Sequence, residues 1–183
     1  MRGRLKPVAV WLSVATFAAA LAGLAQAAPP ITITSKTPAD GPIKYTVKVA
    51  SKTYGDVQDT RTIRSGQTDD YTWKNTPSGS AVTALEQCPN YGSMSLDANG
   101  TVQRQMRIRL APTVAADGTA TVQMSVQAST PRGKSSVKVH GKVLQCPSVA
   151  TLSQVVRFTM PTNGSAKTVS LSDGTQVTVS AQR

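Results

Sequence analysis

Apolar and polar residues alternate strictly along several stretches of the chain, and this period of two limits the fold more than any other feature. In the stretch IKYTVKVAS, residues 43–51, an apolar face begins with Ile43 and Tyr45, whereas the lysines lie on the opposite face. The stretches TVQRQMRIRLA (101–111) and TATVQMSVQAS (119–129) follow the same pattern. Because successive side chains of a β-strand point to opposite faces, each stretch predicts a strand with one buried face.

Turn-forming residues separate these predicted strands. Asn99-Gly100, Asp117-Gly118 and Asp173-Gly174 accept the positive φ angles that tight hairpin turns require. Pro131-Arg132-Gly133 predicts a fourth turn, which leads into a strand over SSVKVHGKVLQ, residues 135–145. The predicted elements are short strands at residues 31–34 and 43–51, a meander over residues 92–145, a strand near residues 152–160 and a final hairpin over residues 166–181.

The composition agrees with an all-β fold. Valine and threonine suit a pleated sheet, whereas Glu86 is the only glutamate in a chain that holds few strong helix formers. Strands with one apolar face each need a second layer to cover that face. We therefore predict an antiparallel two-sheet β-sandwich, with a distorted β-barrel as the alternative.

Residues 51–80 fit this pattern least well. The segment is polar, and it contains Tyr54, Tyr71 and Trp73. We predict long loops around one or two short strands, with Tyr71 and Trp73 on one face. Large aromatic side chains mostly serve packing, so Trp73 is interpreted as a plug at the end of the core. A ligand-facing aromatic pair on a loop is the alternative.

The N-terminus has the features of a cleaved export signal. Arg2, Arg4 and Lys6 precede an apolar run over residues 8–25, and Ala25-Gln26-Ala27 provides the small residues of a cleavage site. The segment resembles bacterial export signals and is most similar to those of Gram-negative bacteria. We predict a signal peptide over residues 1–27 and one sandwich domain over residues 28–183, without a further membrane segment, in the periplasm or outside the cell.

The two cysteines lie in identical tripeptides, Gln87-Cys88-Pro89 and Gln145-Cys146-Pro147. There is no Cys-x-x-Cys redox motif, and two cysteines with one histidine are too few for a zinc site. An exported chain with two cysteines is expected to join them. We predict a Cys88–Cys146 disulfide, with each cysteine at the end of a strand because proline follows it.

Catalytic motifs are not found in the sequence. His140 is the only histidine, and by strand parity it lies on an outward face between Lys138 and Lys142, with no obvious carboxylate to orient it. No Gly-x-Ser-x-Gly motif accompanies it, and the aspartates do not have the spacing of a calcium loop. We predict a protein without catalytic residues, metal or cofactor. The alternative is a hydrolase that uses the loop aspartates Asp56, Asp59, Asp69 and Asp70.

Positive charge is the strongest functional signal in the sequence, which has 20 Lys and Arg against 9 Asp and Glu. Several basic side chains fall on predicted outward faces. They are Lys44, Lys48, Arg107, Arg109, Lys138 and Lys142, with His140 beside the last two. If the meander pairs in order, the strands of Arg107 and Lys138 flank the neutral residues 121–127. This arrangement predicts a basic polar face that attracts an anionic envelope polymer or a protein partner.

These basic residues have a second interpretation, and one class of partner is not expected for them. Lysines on edge strands also prevent aggregation, which explains them without a ligand. Nucleic acid is not expected as a partner, because the predicted face has no aromatic side chain on which bases would stack. The sequence therefore predicts an exported, non-catalytic binding or structural module of the bacterial envelope or surface.

A local resemblance suggests one more alternative. The stretches MRIRLAPTVAADGTATVQMSVQAS and VRFTMPTNGSAKTVSLSDGTQVTV resemble the paired hairpins of outer-membrane secretin channels. The resemblance implies an accessory or assembly subunit of a secretion or fimbrial system, which would pair its strand edges with a partner. An unpaired apolar edge at residues 31–34 or in the last hairpin would favour this alternative.

Overall fold

The computed structural model describes residues 41–77, 79 and 81–183. The predicted signal peptide and the predicted strand at residues 31–34 lie outside these residues. The described part of the chain forms eight strands. They are β1 (Ile43–Ser51), β2 (Gly55–Ile63), β3 (Asp69–Asn75), β4 (Arg104–Val114), β5 (Thr119–Val139), β6 (Lys142–Pro161), β7 (Asn163–Ser170) and β8 (Gln176–Gln182).

The strands form two four-stranded antiparallel sheets that pack as a sandwich. The first sheet has the order β2-β1-β8-β7, and the second has the order β3-β4-β5-β6. Neither sheet closes into a barrel over the described residues, and Cys88 is bonded to Cys146. The prediction of an all-β two-sheet sandwich with one disulfide is therefore confirmed. No described helix is long and apolar enough to cross a membrane.

The core lies between the two sheets and consists of the apolar faces that the alternation predicted. On β1, every second side chain from Ile43 to Val49 is fully buried. The hydroxyl of Tyr71 on β3 donates a hydrogen bond to the carbonyl oxygen of Tyr45 on β1, at 3.0 Å, and so connects the sheets. Other large, fully buried side chains are Ile63, Met106, Ile108, Leu110 and Met124.

Three of the four predicted turns are confirmed, including Asn99-Gly100 between the bridged residues Leu96 and Val102, and one is wrong. Asp117-Gly118 joins β4 to β5, and Asp173-Gly174 joins β7 to β8. At Pro131-Arg132-Gly133, however, β5 continues and its register with β6 shifts between Pro131 and Lys134. The positive φ of Gly133, 106°, is used in a bulge and not in a turn.

The chain reverses instead at His140-Gly141, where both residues have positive φ. Asparagine, aspartate and glycine dominate such turns, so the His-Gly pair gave no clear turn signal in the sequence. The predicted strand over residues 135–145 is therefore the end of one hairpin. His140 lies in the turn of that hairpin and not on a strand face.

The segment 51–80 contains more strand than predicted. Both β2 and β3 lie at sheet edges, and polar residues occupy much of their surface. This composition hid their alternation. Tyr71 and Trp73 share one face as predicted, with ring centres 6.2 Å apart. Trp73 is half-buried and packs against the core.

Candidate binding surfaces

The hairpin of β5 and β6 extends beyond the sandwich. The pairing of β4 with β5 ends at Gln105 and Ser129. Past this point β5 pairs only with β6, from Lys134 opposite Pro147 to Val139 opposite Lys142. We call residues 132–147 the arm. The arm is a two-stranded ribbon whose side chains are exposed or half-buried except at Cys146 and Pro147.

Positive charge is concentrated on the arm. Residues 118–172 contain no aspartate or glutamate. Within the described residues, the ion pairs involve only Asp59 and Asp70, so none reaches the arm. Its basic side chains are therefore uncompensated, and all of them are exposed. They are Arg132, Lys134, Lys138 and Lys142, and the turn adds His140.

The disulfide fastens the base of the arm to the segment 76–103, which connects β3 to β4. The Cα atoms of Cys88 and Cys146 are 5.6 Å apart, and both residues are buried. The predicted positions of both cysteines at strand ends are wrong, because Cys88 lies in the connecting segment outside the eight strands and β6 runs through Cys146 and Pro147. An edge strand tolerates proline, since a missing N–H on the open side breaks no hydrogen bond.

The connecting segment has its own hydrogen bonds around Asp97. The Oδ1 atom of Asp97 accepts hydrogen bonds from the backbone N–H groups of Asn99 and Thr101, both at 2.9 Å. These bonds lower the pKa of Asp97. Isolated bridges at Thr83–Thr101 and Leu96–Val102 extend this small turn. The base of the arm is thus bonded to a part of the chain that has a hydrogen-bonded turn of its own.

A neutral cavity of about 260 Å³ lies between the connecting segment and β5 and β6. Its lining combines hydroxyl groups with apolar side chains and includes no ionisable residue. The lining residues are Asn90, Ser93, Met94, Ser95, Val102, Ser129, Pro147, Val149 and Thr151. This cavity suits a small uncharged ligand and provides no group for acid–base chemistry.

The predicted single basic face is wrong, because β5 carries both the neutral residues 121–127 and Lys138. The strands of Arg107 and Lys138 therefore cannot flank that neutral segment. The predicted residues lie on three separate surfaces. Lys44 and Lys48 are on the outer face of the first sheet, Arg107 and Arg109 are on the second sheet, and Lys138, His140 and Lys142 are on the arm.

The arginines of the second sheet are compensated by a carboxylate. Asp70 on β3 accepts hydrogen bonds from Arg109 Nε at 2.9 Å and Arg109 Nη2 at 3.1 Å, and it also pairs with Arg107. Hydrogen bonds from Arg109 and then Arg107 hold the pKa of Asp70 well below its usual range. No local pattern in the sequence indicates this cluster, because only the β3–β4 pairing brings Asp70 to these arginines.

The four loop aspartates of the hydrolase alternative all lie on strands. Asp56 and Asp59 are on β2, where Asp59 pairs with Arg61, and Asp69 and Asp70 are on β3. None of the four lines the neutral cavity. No group of three or more metal-ligating side chains occurs among residues 41–77, 79 and 81–183.

We expect Asp70 to make the folding stability depend on acid pH. Because the pKa of Asp70 is lowered in the folded chain, its contribution is complete above the usual aspartate pKa and is lost as the pH falls below it. The contribution is small, since the side chains of Arg107 and Arg109 are 40% and 52% exposed. Urea unfolding midpoints between about pH 5 and pH 2 measure this dependence.

The matched variants for this measurement are Asp70→Asn and Asp56→Asn. Asp70→Asn should reduce the acid dependence, to which Asp97 also contributes. Asp56→Asn should leave it unchanged, because Asp56 takes part in none of the three ion pairs. An unaltered acid slope in Asp70→Asn contradicts the assignment.

Comparison with known proteins gives one match. Residues 1–183 match a protein family that is described as a family of unknown function, DUF6013. No curated protein and no solved structure matches the chain.

Proposed function

Because the chain belongs to DUF6013, a family whose function is not established, we propose a function from the geometry of the arm. The protein is an exported, non-catalytic binding module of the bacterial envelope or surface. Its arm binds an anionic polymer of that environment. The observation that carries this proposal is that Arg132, Lys134, Lys138 and Lys142 project from one ribbon without a compensating acid.

Electrostatics favours the arm over the other basic surfaces. An uncompensated cluster of cations attracts a polyanion and gains further from the release of the polymer's counterions. On the second sheet, Asp70 already neutralises part of the charge of Arg107 and Arg109. The arm also offers polar groups for direct contacts, since Ser136 and Gln145 are exposed and hydrogen-bonded to each other at 2.8 Å.

Preorganisation adds to this argument. A flexible basic tail loses conformational entropy on binding, and that loss reduces its affinity. The arm is paired along both strands, and the disulfide fixes its base. Its cations therefore project from a backbone that is already paired before the polymer arrives.

The disulfide also supports the exported location. Structural disulfides persist in oxidising compartments and are rare in the cytosol. The predicted signal peptide over residues 1–27 points to the same location.

We expect neutralisation of the arm to weaken polymer binding by about tenfold or more at low salt. With fewer cationic contacts, fewer counterions are released from the polymer on binding. The variant is the triple substitution Lys134→Gln, Lys138→Gln and Lys142→Gln. Fluorescence anisotropy with labelled dextran sulfate, at several salt concentrations, measures the affinity. The slope of log affinity against log salt should decrease by about two to three.

The matched control removes the same charge from the first sheet, by Lys44→Gln, Lys48→Gln and Lys167→Gln. These lysines lie on β1 and β7 and are exposed, so the control should keep most of the wild-type affinity. Equal losses in the two triple variants would show that net charge alone drives binding. Either that result or a wild-type chain that does not bind overturns the proposal.

A further inference from the structure

The four edges of the two sheets differ in how well they are protected. Edge strands resist pairing with other chains when they are short, charged or bulged. The edge strands β2 and β3 are nine and seven residues long and carry several charges. The edge strand β7 has an irregular register with β8 between Asn163 and Ala166. In contrast, β6 has 20 residues, and Arg157 is its only charged residue after Lys142.

The outer side of β6 has an open row of peptide groups. The N–H of Thr162 donates to the carbonyl oxygen of Gly118 at 3.1 Å, in the same register that pairs Ala120 with Met160. Even-numbered residues of β6 therefore direct their peptide groups toward β5, and odd-numbered residues direct theirs outward. No described strand pairs with this outer side. The outward residues are Val149, Thr151, Ser153, Val155, Arg157 and Thr159.

Prolines bracket this row. Pro147 and Pro161 have the same parity as the outward residues and have no N–H to offer. The stretch between them is thus the part of the edge that is able to add a strand. The outward residues of this stretch are all β-branched or polar, which suits strand pairing.

We propose that β6 pairs antiparallel with β6 of a second copy of this chain, about a two-fold axis at Val155. Val155 is 58% exposed, and this register places it opposite its own copy. Ser153 then lies opposite Arg157, so no like charges meet. The two second sheets join into one sheet of eight strands.

The inner face of the edge is complementary to itself in the same register. Leu152, Val156 and Phe158 are only partly buried, although they pack against the core. The two-fold axis brings Leu152 opposite Phe158 of the second copy, and Val156 opposite Gln154. Pairing therefore covers the open side of both cores, which argues for a second copy over an unrelated strand.

The dimer responds to salt in the opposite sense to polymer binding. Both copies are basic and repel each other, and salt screens this repulsion. A single strand pair is a small interface, so we expect a reversible equilibrium over about 1–300 µM protein. Sedimentation equilibrium should show the average mass rising toward twice the chain mass, and rising further at higher salt.

Charge substitutions at the two-fold axis test the register. Val155→Lys and Val155→Glu each place like charges opposite each other, so each variant should remain monomeric over that range. An equimolar mixture of the two should restore the dimer, because opposite charges then meet. Val143→Lys is the matched control, since Val143 lies on the arm, is 67% exposed and is outside the paired stretch. It should dimerise like the wild type.

Several outcomes overturn this proposal. They are a wild-type chain that is monomeric at every concentration, a Val155→Lys variant that still dimerises, and a mixture that stays monomeric. Hydrogen exchange tests whether another segment of the same chain, and not a second copy, occupies this edge. Protection of the amides of Ser153 and Val155 in the dilute monomer would mean that another segment of the same chain covers β6. Circular dichroism confirms that each variant is folded.

Discussion

Replacing Cys88 and Cys146 by alanine is expected to lower the free energy of unfolding by about 4 kcal/mol. The two cysteines are 58 residues apart, and the loop between them contains all of β4 and β5 and most of the arm. Closing a loop of this length restricts the unfolded chain strongly, and this restriction is the main source of the effect. Alanine suits the sites because both cysteines are buried in the folded chain.

Urea unfolding of three samples measures this effect: the oxidised wild type, the reduced wild type and the double variant. The reduced wild type and the double variant should unfold at similar urea concentrations, and a reducing agent should not affect the variant. A loss below about 1 kcal/mol would contradict the prediction, because it would mean that the loop is already restricted in the unfolded chain.

The disulfide also has a local effect that hydrogen exchange is able to resolve. Without it, the arm is held to the connecting segment only by packing, so the amides of residues 134–146 should lose more protection than those of β4 in the sandwich when the variant is compared with the wild type. The lysines of the arm remain in the variant. We therefore expect polymer binding to weaken only modestly, which distinguishes the role of the disulfide from that of the charges.

The sequence predicted the fold well where one face of a strand is buried and the other is exposed to solvent. The bounds of β1 matched the structure because the alternation from Ile43 to Val49 is complete. The final hairpin was equally clear, since Asp173-Gly174 is a strong turn signal. Both features depend only on residues close together in the sequence.

The edge strands and the arm were predicted less well, because they are defined by pairing between residues that are distant in the sequence. At Pro131-Arg132-Gly133 the residue types of a turn and of a bulge are the same, and only the pairing of Lys134 with Pro147 distinguishes them. Arg132 was therefore assigned to a turn, and both Arg132 and Lys134 were missed as members of the basic surface. The absence of acids over residues 118–172 was the signal that would have identified them.

The ion pairs of Arg107 and Arg109 with Asp70 also could not be predicted from local patterns in the sequence. From the sequence, Arg107 and Arg109 looked as available as the lysines of the arm. Their pairing with Asp70 follows from the order of β3 and β4 in the sheet, which the alternation does not specify. Local patterns predicted which side chains are exposed, but not which exposed charges are free.

Replacing Tyr71 by alanine is expected to lower the free energy of unfolding by about 3–5 kcal/mol. Tyr71 is fully buried on the edge strand β3, stacks on Trp73, and reaches across the core to the backbone of Tyr45. Arg61 lies over its ring at 5.8 Å from the ring centre. Removal of the ring leaves a cavity between the sheets and exposes one side of Trp73.

Tyr71→Phe separates the hydrogen bond from the packing. This variant keeps the ring but leaves the buried carbonyl oxygen of Tyr45 without the hydroxyl donor, so we expect a loss of about 1 kcal/mol. Urea unfolding compares both variants with the wild type. If the phenylalanine and alanine variants lose equal stability, the hydroxyl and not the ring holds β3 against β1. If neither loses more than about 1 kcal/mol, the core closes around the site and Tyr71 is not what connects the two sheets.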